Sequence, residues 1–271
     1  MAFDPEAVRA FERAGFDRAA AAYETAFAPA TRCGIPRLLD AAGVASGMDV
    51  LDLCCGPGFA GAEALSRGAR VTGLDFSEAM LREGRARYPG MTFVHGDAEC
   101  PPLEPGRFDA AVSNFGVHHV PRPGLALAAM HRVLRPGGRF AFTIWAAPDE
   151  NIAFGLIANA VRAFGDMSLS TAPPPGGGLS SGGDCLMLLH EAGFADTGAH
   201  LVRGVWRHAD AGAMLAAMRD GTARNAAMLA AQPADRMPAI EAGLAAAAAP
   251  WRDGEGLAVP IACVVAYGTR P

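Results

Sequence analysis

Lysine is absent from this chain of 271 residues, and arginine supplies all 23 of its basic side chains. That removes Schiff-base chemistry and the phosphate-gripping lysine of a P-loop from consideration. The arginines form no cluster and the formal net charge is −5, so the basic patch that attracts nucleic acid is missing. The six cysteines, at 33, 54, 55, 100, 185 and 263, show no CxxC spacing, and no histidine pair is arranged as zinc ligands. They read as reduced, mostly buried thiols, and no metal is expected. No apolar run approaches the ~20 residues needed to cross a bilayer. The opening stretch MAFDPEAVRAFERAGF is charged and amphipathic, without a hydrophobic signal core. These absences predict a cytoplasmic protein with no membrane and no nucleic-acid partner, and leave its oligomeric state open.

What is present is apolar and periodic. With 51% hydrophobic residues, the chain has the means to bury the core of one α/β domain with a small cap. Helical periodicity covers 5–28 and 36–43, so residues 1–45 read as a helical lid before the first strand. Strands fall near 49–53, 70–75, 91–95, 108–113 and 138–145 with helices between them, an alternation that predicts a parallel sheet. LRPGG at 134–138 reads as a helix stop turning into the fifth strand. Beyond Trp145 the rhythm changes to a helix near 151–165, then TAPPPGGGLSSGGD, too glycine-rich and too polar to pack, which reads as a mobile loop. A short helix (CLMLLHEAGF), a strand (HLVRGVWR), helices over 210–248 and a last strand (LAVPIACVVAYGTR) follow. The segments 149–182 and 209–250 would form the cap.

The first strand, DVLDL, ends beside a glycine turn in which Gly56, Gly58 and Gly61 satisfy GxGxxG, a pattern that in dinucleotide-binding folds lets backbone approach a pyrophosphate. Asp52, a few residues before Gly56, would aim its carboxylate at the same loop and repel a phosphate. A cationic ligand suits that turn better. S-adenosylmethionine pairs an adenosine with a sulfonium and an α-ammonium group, and the turn Cys55-Gly56-Pro57-Gly58 would admit its carboxypropyl chain. The bland alternative is that Asp52 only caps the following turn.

Two further strands end in acids. Asp75, roughly 20 residues past the glycine turn, stands where a second βα unit sets a carboxylate beside ribose hydroxyls. Phe76 and, one helical turn on, Met80 can flank an adenine, or serve as ordinary core beneath a helix that Ser77 caps and Pro89-Gly90 stops. Asp97 and Ala98 can meet the adenine amino group and ring edge, Asp97 otherwise being a loop cap. Buried strand interiors disfavour carboxylates, whereas the carboxyl edge of a parallel sheet is where such folds hold ligands.

The ordered set LDLCCGPG, GLDFSEAML, GDAECPPL, FDAAVSNFGVHHV and HRVLRPGGRFAFTIW, over residues 49–145, resembles the class I S-adenosylmethionine-dependent methyltransferases, and within them the small-molecule branch called type 11. The resemblance implies a Rossmann-like seven-stranded sheet with helices on both faces and a late antiparallel hairpin, one methyltransferase domain over 1–271, and methyl transfer from that cofactor to a small-molecule acceptor. The Cys54-Cys55 pair departs from the family's commoner small residue followed by Cys or Thr.

Displacement at a sulfonium methyl requires the acceptor atom to be held in line with water excluded. A base is needed only for a protonated acceptor. His118 and His119 follow the fourth strand, and because neighbours on a turn diverge, one of them, His119, is expected to face the cavity as a base or orienting group, unless it is bonded to backbone for structural reasons. Ser113 and Asn114 can hold the methionine portion of the cofactor, and Tyr23 can cover it as the lid closes. Phe115, Trp145, Phe154, Trp206 and scattered methionines can line an apolar acceptor pocket or pack as core. Two other functions stay open: an NAD(P)-dependent oxidoreductase, against which stand Asp52 and the lack of a Tyr-x-x-x-Lys pair, and a non-catalytic S-adenosylmethionine-binding protein.

Overall fold

Residues 3–170, 172 and 179–271 are described by a computed structural model. In chain order, α1 (Pro5–Ala19), α2 (Tyr23–Ala26), α3 (Ala28–Thr31) and α4 (Ile35–Ala41) precede β1 (Asp49–Leu53). Then come α5 (Phe59–Ser66), β2 (Arg70–Asp75), α6 (Glu78–Arg87), β3 (Thr92–His95), β4 (Phe108–Ser113), α7 (Pro123–Val133) and β5 (Leu134–Trp145). The remainder is α8 (Ile152–Phe164), α9 (Gly182–Glu191), β6 (Ala195–His208), α10 (Ala211–Gly221), α11 (Arg224–Ala230), α12 (Met237–Ala248), β7 (Arg252–Asp253) and β8 (Gly256–Thr269).

The strands form one sheet in the order β3-β2-β1-β4-β5-β8-β6. The first five run parallel, and β8 lies antiparallel between β5 and β6. Alternation along β1 explains the two-sided core. Leu51 and Leu53 face α7 and α9 with Leu127, Met130 and Leu189, while Val50 faces α4 and α5 with Leu38, Leu39 and Ala64. A third apolar cluster lies in the cap, where α8, α10 and α12 pack on the outer halves of β6 and β8 through Ile157, Met214, Met218, Leu244, Trp206 and Val259.

Three expectations are corrected. The sheet has eight strands among the described residues, not seven, because the two-residue β7 folds back on the start of β8 through Asp253↔Gly256. LRPGG is the irregular first part of β5: Leu134 already pairs with Phe108, the register then shifts, and Gly137 donates to the Arg270 carbonyl at 2.8 Å. The helical stretch 5–28 is broken: α1 ends at Ala19, and the single turns α2 and α3 follow, parted at Phe27 because Pro29 has no N–H with which to continue α2. Half of the loop expected at TAPPPGGGLSSGGD falls outside the described residues, and its end starts α9, where Ser181 and Asp184 form a reciprocal capping box. No helix among the described residues is long and apolar enough to cross a membrane.

Candidate active site

Strand order reverses between β1 and β4, which opens a crevice at their carboxyl ends where open α/β sheets bind ligands. The backbone there is strained. Cys54, just after β1, and Phe115, two residues past the end of β4, hold φ of 53° and 59°, the left-handed region that costs a side chain roughly 1–3 kcal/mol. Gly116 lets the two loops meet: a Cβ on it would lie 2.3 Å from the Cys54 Cβ and 2.7 Å from the Ser113 Oγ. Above this junction lies a cavity of about 250 Å³. Packing voids rarely exceed a water, so this space is the candidate ligand site.

One end of the cavity is acidic and flat-walled. Asp75 lines it, with Oδ2 accepting the Gly56 N–H at 2.8 Å and Oδ1 the Ser77 N–H at 2.9 Å. Burial pushes its pKa up to about 6 against the pull of those N–H bonds. Phe76, Met80, Asp97, Ala98 and Gly56 also line this end. Gly56, at φ 52°, has nothing within 4 Å of a would-be Cβ, so the turn leaves open space above it. Tyr23 lines the cavity too, its phenol pushed up to about 12 by burial while a Thr31 hydrogen bond pulls the other way.

Five expected contacts turn away from this space. Asp52, 1% exposed, accepts the Gly61 N–H at 2.7 Å, its second oxygen buried without a partner, and burial raises its pKa to about 7. It caps α5 from below instead of facing the ligand. The Cys55 thiol points toward β2, where a Cβ on Gly73 would lie 2.9 Å from it, and Cys54 lines the cavity in its place. Pro57 and Gly58 lie behind the turn, the latter at φ 88° with its would-be Cβ 3.2 Å from the Phe93 ring. Ser113 is fully buried beneath Gly116. Asn114 does line the cavity, but its amide donates to the Thr31 carbonyl at 3.1 Å and accepts from the Thr143 hydroxyl at 3.0 Å, tying α3 to β4 and β5.

The other end is aromatic. Phe115 and Trp145 stack at 3.9 Å, with Phe154 4.7 Å from Trp145, and all three line the cavity. Trp206 does not: at 1% exposure it packs edge-on against Phe27 within the cap core. Both histidines line the cavity, although one alone was expected to. In the tight turn Val117–His119 it is Val117 that takes the buried core position, leaving both rings, 4.2 Å apart, on the cavity side. Burial holds the His118 pKa well below its ordinary value, and its Nδ1 is buried without a partner. His119 Nδ1 lies 3.1 Å from the Glu12 carboxylate.

Sequence reading missed the inner face of α1. Arg9, Glu12 and Phe16 recur at spacings of three and four, the helical repeat that places side chains on one face. Arg9 pairs with Asp97 at 2.6 Å and Glu99 at 2.9 Å, Glu12 with Arg224 at 2.6 Å, and Phe16 sits edge-on to His119 at 5.0 Å. A glutamate and an arginine one turn apart read as an exposed face, and nothing local marked their distant partners. Thr222, in the break between α10 and α11, and Arg224 and Asn225, which open α11, add to the same wall.

Residues 50–138 match a family model described as a methyltransferase domain. The chain is 41% identical over 110 residues to a demethylmenaquinone methyltransferase of Beutenbergia cavernae, a match covering 41% of this chain and 46% of that protein. It is 40% identical over 134 residues to a malonyl-[acyl-carrier protein] O-methyltransferase of Pseudescherichia vulneris, covering 49% and 53%. The chain thus spans about half the length of the curated relatives it matches. The solved structure of Haemonchus contortus phosphoethanolamine N-methyltransferase 2, in complex with phosphomonomethylethanolamine and S-adenosylhomocysteine, shares the fold at a TM-score of 0.54 and 16% identity, over 88% of this chain and 52% of that one.

Proposed function

We propose that this chain, which carries a methyltransferase domain over residues 50–138, moves the methyl group of S-adenosylmethionine onto a small, apolar acceptor. The observation that carries the reading is how the glycine turn spends its donors. Gly56 gives its N–H to Asp75, Cys55 to the Leu74 carbonyl and Gly58 to the Cys55 carbonyl, so these three donors of the turn are already spent. A diphosphate would find carboxylates there and be repelled. That speaks against the nicotinamide-dependent alternative. A cationic nucleoside fits the same donor set: Asp75 retains acceptor capacity for ribose hydroxyls, and Phe76 and Met80 offer apolar faces to a base. The carboxylate that Asp52 was expected to supply is supplied from this side by Asp75.

When bound, the cofactor supplies an electrophilic methyl on a positively charged sulfur. The chain's own part is to bind, orient and dry the site. Phe115, Trp145 and Phe154 form an apolar wall against which an acceptor can be held, and Tyr23 and Phe16 close the lid side against water. The two curated relatives are named for unlike acceptors, so the acceptor is argued from the aromatic wall and not from them.

Thermal unfolding with S-adenosylhomocysteine, NAD and NADP tests the reading. A ligand at a hundred times its dissociation constant stabilises by about 2.7 kcal/mol. Stabilisation by S-adenosylhomocysteine alone is expected, and stabilisation by NAD or NADP alone would overturn it. Transfer of labelled methyl from the cofactor into a metabolite extract then separates an enzyme from a non-catalytic binder.

A further inference from the structure

We propose that Glu12 of α1 is a positioning residue that fixes His119 as a proton acceptor, and hence that the methyl acceptor is an apolar compound presenting a hydroxyl group. The proposal rests on the methyltransferase reading above. Glu12 is fully buried on a helix whose other face meets water. A carboxylate in such a place is costly unless it is paired. It has two partners, His119 Nδ1 at 3.1 Å and the Arg224 guanidinium at 2.6 Å. Burial pushes the Glu12 pKa up, but these partners outweigh it and bring the net shift below the ordinary value. Glu12 therefore stays ionised, and an ionised carboxylate only accepts. His119 Nδ1 must then carry the hydrogen. In a neutral imidazole that leaves the lone pair on Nε2, at the opposite edge of the ring, with no hydrogen bond to any described residue.

The surroundings support that assignment from each side. On α1, Phe16 sits edge-on to the ring at 5.0 Å and limits its rotation, and Arg9 is engaged by Asp97 and Glu99. On α11, Arg224 is paired with the far oxygen of Glu12. In the same turn, burial keeps His118 neutral, so no second imidazolium lies beside His119. Aliphatic and phenolic hydroxyls are weak nucleophiles until deprotonated, whereas amines attack through a free lone pair and thiols ionise readily. A held base is thus most useful to a hydroxyl. The acceptor O–H proton passes to His119 Nε2 and the oxygen electron pair forms the new O–CH3 bond. The electrons of the broken C–S bond stay on sulfur and cancel its positive charge. The His119 side chain, 24% exposed, then returns the proton to water. Because Glu12 rides on α1, the pair is complete only when that helix lies over the strand ends.

Side-chain nitrogen NMR of the protein without cofactor tests the pairing, His119 being assigned by its loss in His119→Asn. The neutral wild-type ring is expected as the Nδ1–H tautomer, and Glu12→Gln should admit the Nε2–H form. In the transfer assay Glu12→Gln should lower kcat by about 100-fold or more, with acceptor KM and S-adenosylhomocysteine affinity little changed. The labelled product should release volatile iodomethane in hydriodic acid. An Nε2–H tautomer in the wild type, an unchanged kcat in folded Glu12→Gln, or label retained on carbon would each overturn the proposal. A Glu12→Gln chain that fails to fold leaves the wild-type tautomer to decide. Wild-type protein that ignores S-adenosylhomocysteine yet shows the Nδ1–H tautomer would sink the methyltransferase reading and spare the pair.

Discussion

The Asp75 carboxylate accepts the Gly56 N–H at 2.8 Å and so binds the end of β2 to the turn after β1. That single bond faces the cavity, removes a donor a phosphate would need and keeps an anion where a ribose can reach it. Asp75→Asn leaves one oxygen to accept from Gly56 or from Ser77 but not both, so it should loosen the turn as well as weaken S-adenosylhomocysteine by about 10–100-fold, the size of a lost hydrogen bond to a charged group. Because burial holds Asp75 near 6, wild-type affinity should persist above that pH and fall below it as the carboxylate protonates. Calorimetric titrations from pH 5 to pH 8 check this: an Asn variant with wild-type affinity, or one retaining the same pH dependence, would remove Asp75 from the site.

Asp52 should behave in the opposite way. Its pKa is raised by burial to about 7, so between roughly pH 4 and 7 the folded chain holds a proton that the unfolded chain has released. Its contribution is complete below pH 4 and is lost as pH rises through 7, at about 1.4 kcal/mol per pH unit. Asp52→Asn, which can still accept from Gly61, should flatten that limb of the stability curve and leave cofactor affinity within about threefold. Denaturation midpoints at several pH values measure the first effect and calorimetry the second. A large loss of affinity would restore the role that sequence alone suggests.

The difference between these two aspartates marks how far the sequence was legible. Strand ends at 49–53, 70–75 and 108–113 are set by short apolar runs bounded by turn residues, and they fall where pattern places them. Which way an end-of-strand carboxylate turns depends on what packs above it. Gly61, which offers Asp52 its N–H, is on α5, while Asp75 is met by Gly56 from a different strand's loop. Glu12 was illegible for a similar reason: its partners lie more than a hundred residues away, and helical spacing reveals a face but not what meets it.

Gly116 offers a test of the strained junction. Its would-be Cβ meets the Cys54 Cβ at 2.3 Å, backbone-anchored and unable to swing aside. Gly116→Ala should therefore cost about 1–3 kcal/mol by overpacking and shift the histidine turn that follows it. Chemical denaturation reads the first, and altered His118 and His119 NMR signals read the second. An alanine variant as stable as the wild type would show that the loops are free to part.

Trp145 and Trp206 separate the acceptor wall from the core. Trp145 ends β5, stacks on Phe115 and faces the cavity, whereas Trp206 is buried behind Phe27 and touches no cavity space. Trp206→Ala should cost about 3–5 kcal/mol of stability, as large core truncations do. It should leave the acceptor KM of the surviving folded protein near that of the wild type. Trp145→Ala removes a surface the acceptor itself would bury, so acceptor KM should rise about tenfold, the weight of one aromatic contact with its burial. S-adenosylhomocysteine affinity should hold, because the end of the cavity proposed for the nucleoside is built where β2 and β3 finish. Steady-state kinetics beside thermal unfolding distinguish the two tryptophans, and an unchanged KM in Trp145→Ala would place the acceptor elsewhere in the cap.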